Sequence, residues 1–142
     1  MFISALLLLE QHVDAINALN VFPVPDGDTG TNMFLTLRDV VENTESSGGE
    51  PVSEIAASMA RAALMGAKGN SGVILSQFFK GLAVGLEGLS DFGCKDFVGC
   101  LQAAKEYSYK AVGEPVEGTI LTVVTSVAET AEIHSGSGKN GR

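Results

Sequence analysis

Apolar residues in this chain recur at steps of three and four and nowhere sustain a strand-like alternation, which commits it to packed helices. Leu6, Leu9, Val13, Ile16 and Leu19 mark one face of a first helix, and Met33, Leu37, Val40 and Val41 do so for a second. The polar run 43–50, with Ser46-Ser47-Gly48-Gly49, predicts a loop. Pro51 suits the start of a third helix burying Ile55, Met59 and Ala62 or Ala63, and Gly66 offers a left-handed stop. Ile74, Phe78 and Leu82 predict a fourth helix ending among Gly85 and Gly88. Phe97, Leu101 and Ala104 predict a fifth, with Asp91 or Asp96 at its positive end. Beyond Pro115, the run 119–127 is rich in Val and Thr and has strand propensity. The spacing of Ile120, Val123, Val124 and Val127 nevertheless favours a sixth helix. The fold class expected is all-α, with helices over residues 1–134 followed by a flexible Gly/Ser tail at 135–142.

Length and charge narrow the function classes. At 142 residues the chain can bury one core but not two. Nine Lys and Arg against 17 Asp and Glu leave a net charge of −8, which argues against nucleic acid as a partner. The dense apolar run 5–9, with Phe2 and Ile3 before it, is far short of the ~20 residues of a spanning segment. No basic flank or cleavage pattern marks a signal peptide. Cys94 and Cys100 form no metal-ligand pattern and no disulfide framework, so a reducing, cytoplasmic compartment is expected.

Glycine is frequent, at 17 residues, and three glycine loops carry the unusual chemistry. The first runs Asn20-Val-Phe-Pro-Val-Pro-Asp26-Gly-Asp28-Thr-Gly-Thr-Asn32-Met33. Its prolines stiffen the approach to two carboxylates spaced by two, oxygen donors suited to Mg²⁺ shared with a phosphorylated ligand. The same residues also suit a turn in which Asp28, Thr29 or Thr31 caps the second helix. The EF-hand pattern is excluded, because position 30 is Gly. The second loop, Gly66-Ala-Lys68-Gly69-Asn70-Ser71-Gly72, leads into a helix whose free amides could receive phosphate oxygens. Lys68 stands before the middle glycine, which excludes a Walker A loop, and Asn70 or Ser71 could equally be a plain N-cap. The third, Glu114-Pro-Val-Glu117-Gly118-Thr119, reads either as a site loop or as helix capping. Taken together, the loops suggest a Mg²⁺-nucleotide or other phosphate site; connections in a binding or scaffold domain are the alternative.

The first motif, the run Gly66-Ala-Lys-Gly-Asn-Ser-Gly-Val-Ile-Leu-Ser-Gln77 and the run Pro115-Val-Glu-Gly-Thr-Ile-Leu-Thr122 resemble the nucleotide-binding domain of two bacterial kinase groups. One is the dihydroxyacetone kinase ADP-binding subunit. The other, and the closer, is the kinase subunit of the fatty acid kinase system, also labelled Dak phosphatase or DegV-partner protein. The resemblance covers the chain from the first helix to about residue 131. It implies an antiparallel helical barrel binding ATP or ADP across the loops at one end, with two Mg²⁺ ions held between aspartates and phosphates. By matching position, Asp26 and Asp28 are metal-ligating and catalytic, and Asn20 stands where a third ligand would come from. Asn32, Gly69, Asn70, Ser71 and Gly72 line the nucleotide, with Glu117, Gly118 and Thr119 in a later loop near it. His12 matches no functional position and is expected on a helix surface.

The resemblance further implies phosphoryl transfer to a fatty acyl carboxylate presented by a DegV-like carrier protein. In the dihydroxyacetone kinase alternative the acceptor is a ketose held by another subunit. Relatives continue past the sixth helix with more helices and a closing motif, so the domain is expected to be incomplete at its C-terminus. A barrel lacking helices would expose apolar faces and open the way to a homodimer.

Overall fold

The computed structural model describes residues 1–21, 24–45 and 48–137. Phe22 and Pro23 of the first loop, Ser46 and Ser47 of the second connection and 138–142 of the expected tail lie outside them. Six helices follow in order, with no strand among the described residues: α1 (Phe2–Leu19), α2 (Thr29–Thr44), α3 (Val52–Gly66), α4 (Gly69–Gly85), α5 (Cys94–Lys110) and α6 (Ile120–Ser137). The fold class is all-α, as the spacing predicts.

Each helix packs on the next in sequence, and α2 also on α4. The connections are short, so each step reverses direction. The cross-helix contacts record it. Gln102 Nε2 donates to Glu132 Oε2 at 3.0 Å, Lys105 pairs with Glu129 at 3.7 Å, and the Tyr109 and Thr125 hydroxyls meet at 3.0 Å, climbing α5 as they descend α6. At the other turn of the bundle, the Val52 and Ser53 amides at the start of α3 donate to the carbonyls of Ser90 and Leu89 beyond α4. Those bonds satisfy donors that a helix start leaves without partners. Five reversals place the ends of α1, α3 and α5 and the starts of α2, α4 and α6 together at one end.

The core runs through the middle of α2 to α6 and centres on Val40, Ala63, Phe79, Cys100, Ala104 and Ala128. Phe79 is tilted against Phe2 at 5.2 Å between ring centroids and meets Phe78 edge-on at 6.0 Å. α4 and α5 approach closely because α4 turns glycines to the crossing. A Cβ on Gly81 would overlap the backbone of Ala103 and Ala104, and one on Gly85 would come within 2.7 Å of Cys100 Cα.

Several local expectations change. In α1 the face at Phe2, Leu6, Leu9, Val13 and Ile16 is half-buried, but Leu19 is 77% exposed because the helix ends beside it. Counting only the dense run 5–9 understates this helix. Over its 18 residues α1 is long and apolar enough to cross a membrane, the one such helix among the described residues. Its inward stripe nonetheless packs on the core, while exposed Glu10 and Asp14 interrupt the outer side. In α4, Phe79 lies deeper than Phe78. In α6 the buried residues are Leu121, Val124 and Ala128, whereas Val123 and Val127 are exposed. The single-face spacing is right for Val124 and for half-buried Ile120 but not for Val123 and Val127, because α6 packs on α5 and carries β-branched residues on both sides. α6 also runs to Ser137, three residues into the expected tail, since a formed helix extends through Ser and Gly at modest cost.

Gly66 is not a left-handed stop. It is buried inside α3, where a Cβ would collide with the Asp39 carboxyl, and Ala67 caps the helix in an extended conformation. At α5, Asp96 performs the expected service: its Oδ2 accepts from the Gly93 amide at 2.9 Å.

Two stability predictions follow from this packing. Gly81→Ala forces the α4–α5 crossing apart and should cost about 1–3 kcal/mol in urea unfolding. Gly99→Ala, in α5 with open space around it, should gain about 0.5–1 kcal/mol. Burial, and after it the charge of Asp96, pushes the Cys100 thiol above its ordinary value, and Cys94 is exposed. A thiol reagent at mildly alkaline pH should therefore label Cys94 in the folded protein and Cys100 only on unfolding.

Candidate nucleotide site

The sequence offers two uses for Asp28, and the geometry separates them. Asp28 stands in the N-cap position of α2, yet its carboxylate makes no capping bond. Asn17, reaching across from α1, does that work. Its Oδ1 accepts from the Thr31 amide at 3.1 Å, and its Nδ2 donates to the Thr31 hydroxyl at 3.0 Å. α1 comes this close because position 30 is glycine: a Cβ there would lie 2.5 Å from the Val13 carbonyl oxygen and 3.0 Å from Asn17 Oδ1. Asn17 escaped the sequence reading, since nothing in α1 marks it apart from being a polar residue one turn from the expected apolar end. Among the described residues, the Asp28 carboxylate is thus left without a capping bond.

The other aspartate is tethered. Asn20 Nδ2 donates to Asp26 Oδ1 at 2.6 Å, so the Asn20 amide nitrogen faces the carboxylate and orients it. Asp26 is exposed and Asp28 half-buried. Among the described residues no group of three or more His, Cys, Asp or Glu side chains converges. The oxygen donors here number two carboxylates with an amide alongside, a set that suits a hard cation completing its shell with water and phosphate oxygens.

The second loop is shorter than the sequence suggests. α4 begins at Gly69 with Lys68 as its N-cap, so Asn70 and Ser71 are not caps but lie in the first turn. Gly69 has φ +60°, and a Cβ on it would collide with the Asn32 side chain. Only glycine combines that backbone conformation with that contact. The Gly72 amide donates to the Lys68 carbonyl at 3.0 Å, which leaves the amides of residues 69–71 as the unpaired donors of the helix start.

Two bonds join this turn to the aspartate loop. Ser71 Oγ donates to the Thr29 carbonyl at 3.3 Å, and the Lys68 amide donates to Thr36 Oγ1 at 3.1 Å. Asn32 packs against Gly69 between them. The structure therefore brings Asp28, Asn32, Lys68, Gly69, Asn70 and Ser71 into one neighbourhood, with Asp26 and Asn20 beside it. Lys68 is exposed at its edge.

The third loop behaves as a cap. Thr122 Oγ1 donates to Glu117 Oε2 at 2.8 Å and accepts from the Gly118 amide at 2.8 Å. Thr119 Oγ1 donates to the Val116 carbonyl and accepts from the Leu121 amide. These bonds run within the loop and into the first turn of α6. The chain reversals set Glu117, Gly118 and Thr119 at the same end as the other two loops. His12 lies exposed on α1, its Nδ1 2.9 Å from the Leu8 carbonyl, away from all three.

Two cavities lie elsewhere. A depression of about 420 Å³ between α2 and α3 is lined by Asp39, Ser58, Arg61 and Met65. An apolar one of about 210 Å³ sits at the opposite end, among Phe2, Ile55, Leu86, Phe92 and Phe97.

A small all-helical domain whose loops gather carboxylates and helix-start amides at one end defines a class, and comparison with known proteins agrees with it. Residues 23–141 match the DAK2 domain, and the chain belongs to that family, which is of the dihydroxyacetone kinase type. It is 46% identical over 125 residues to protein YloV of Bacillus subtilis, covering 88% of this chain and 23% of YloV. Uncharacterized proteins of Staphylococcus epidermidis and Staphylococcus aureus are each 45% identical over 131 residues, 92% of this chain and 24% of theirs. The chain thus spans about a quarter of the length of the curated relatives it matches.

Asn17→Ala removes the acceptor that holds the start of α2, and should cost about 1 kcal/mol in thermal or urea unfolding. His12→Ala, on the same helix, should stay within about 0.5 kcal/mol of the parent protein.

Proposed function

We propose that this chain is the Mg²⁺-nucleotide domain of a kinase that phosphorylates the carboxylate of a fatty acid presented by a DegV-like carrier protein. The observation that carries the nucleotide part is the freedom of the Asp28 carboxylate. A residue in an N-cap position ordinarily bonds its own helix, but Asn17 has taken that place. Its carboxylate remains available beside the unpaired amides of the α4 start. Asp26 and Asp28 would hold the metal, with Asn20 orienting Asp26 and offering its amide oxygen as a further donor. Bound there, Mg²⁺ supplies charge neutralisation on the β- and γ-phosphates.

The remaining work belongs to this chain's own groups. The amides of Gly69, Asn70 and Ser71 lie where phosphate oxygens would accept them, in the favourable field of the helix start. Asn32, packed on Gly69, adds an amide side chain to the same wall. Lys68 contributes a mobile positive charge at the rim. Glu117, Gly118 and Thr119, at the same end of the bundle, would border a bound nucleotide from the third loop. In the transfer, a carboxylate oxygen bonds to the γ-phosphorus as its bond to the ADP oxygen breaks, giving ADP and an acyl phosphate. The acceptor is already ionised at neutral pH, so the domain needs no general base.

The fatty acid assignment rests on the resemblance of the Pro-rich approach to Asp26. A dihydroxyacetone kinase subunit, with a ketose held on another protein, is the second reading, favoured by the family match itself. In either case the acceptor and its carrier come from outside this chain, and a cytoplasmic setting suits both the nucleotide and the free thiols.

ATP with Mg²⁺ at about one hundred times Kd should add about 2.7 kcal/mol and raise the Tm by roughly 5–10 °C. Asp26→Ala with Asp28→Ala should abolish the shift while leaving the ligand-free Tm nearly unchanged. A scaffold domain predicts no shift in either protein, and that result would overturn the nucleotide reading. ATP consumption with a lipid-loaded carrier, set against dihydroxyacetone and its carrier subunit, distinguishes the two acceptors.

A further inference from the structure

The Thr36 side chain is fully buried, one turn beyond Asn32 on α2, and makes one of the two side-chain-to-backbone bonds that tie α2 to the start of α4. Its hydroxyl donates to the Asn32 carbonyl at 2.8 Å and accepts from the Lys68 amide at 3.1 Å. One proton and one lone pair are thereby used in fixed directions. Gly72 closes the third side: a Cβ there would stand 2.6 Å from Thr36 Oγ1. The hydroxyl thus has no room to turn and no solvent to exchange with.

From this geometry we infer that Thr36 is the positioning residue of the nucleotide site, setting the first turn of α4 against the aspartate loop. The inference rests on the nucleotide reading given above and deepens it. Thr36 touches neither metal nor phosphate. It acts through Lys68 on one side and Asn32 on the other, and these flank the amides of residues 69–71. Ser71 makes the second tie, to the Thr29 carbonyl, but that bond is longer, at 3.3 Å, and belongs to a residue of the site itself. Without the Thr36 hydroxyl, the half-buried Lys68 amide loses its protein acceptor, and the turn relieves that loss by moving toward water. Such a movement displaces every phosphate donor together relative to Asp26 and Asp28. A site that shares one ligand between a metal and a helix start is sensitive to displacements of about 1 Å.

The test uses the full chain with Mg²⁺-ADP as the probe, titrated calorimetrically well below the Tm of each variant. Thr36→Val keeps the shape and removes the hydroxyl; Thr36→Ser keeps the hydroxyl and removes the methyl. Thr36→Val should weaken Mg²⁺-ADP binding about tenfold, and Thr36→Ser should restore it to within about twofold. A purely structural role would lower the ligand-free Tm of Thr36→Val and leave the affinity of the folded protein unchanged. Unchanged affinity in Thr36→Val, or a Thr36→Ser as weak as Thr36→Val, overturns the inference. Should Thr36→Val not fold, Thr36→Ala carries the same comparison, and failure of both to fold marks the hydroxyl as a structural latch and overturns it likewise. A parent protein that binds no Mg²⁺-ADP overturns the nucleotide reading itself, whereas binding by parent and valine variant alike overturns only the role of Thr36.

Discussion

The reversal of direction at every connection is the constraint on which the rest of this domain depends. Helices of 15–18 residues joined by short links have little choice but to lie antiparallel to their neighbours. The loops after α1, α3 and α5 therefore meet at one end, and those after α2 and α4 at the other. Residues 42 positions apart in the chain, such as Thr29 and Ser71, come into hydrogen-bond reach for this reason alone. Nothing about the individual motifs demands it.

Close approach then turns a common end into a common site. Where α1 crosses α2 at Gly30, the approach lets Asn17 reach the start of α2 and hold it. Where α3 leaves for α4, Gly66 against Asp39 and Gly72 against Thr36 draw the second loop onto α2. A single methyl at any of these positions would force the elements apart. The glycines of this chain are thus divided in purpose. Gly69 supplies a backbone conformation, while Gly30, Gly66, Gly72 and Gly81 supply absence of volume. Distributed as they are, they let the start of α4 come within hydrogen-bond reach of α2 just after the aspartates.

Much of the fold was legible, because period is a local signal that survives packing. Six helices, their order and most of their apolar stripes follow from spacing alone. The exceptions are informative. α6 carries apolar residues on two sides, and only its seat on α5 decides that Leu121 and Ala128 go inward and Val123 and Val127 do not. Gly66 reads as a left-handed stop in sequence; α3 does end there, but without a positive φ, and the glycine is needed because a Cβ would meet Asp39, far away in the chain.

The site divides in the same way. Motif chemistry singled out Asp26, Asp28 and the run 69–72 without help from the fold, since carboxylates after a stiff turn and glycines before a helix are properties of local sequence, whereas Asn32 came only from the family resemblance. It also offered capping as an equal use for Asp28, Ser71 and Glu117, and no local signal could choose. The tertiary structure chose differently at each: Asn17 displaced Asp28 from the cap, Ser71 fell inside its helix and bonded α2, and Glu117 stayed bound in its own loop. By itself, then, the sequence determined an all-helical chain and the chemical character of its loops, because both depend on residues within a turn or two of one another. Which carboxylate is left out of the cap, and that Asn17 holds the start of α2 in its place, only the packed helices decided, because a hydrogen-bond partner supplied by another helix leaves no mark in the segment it serves.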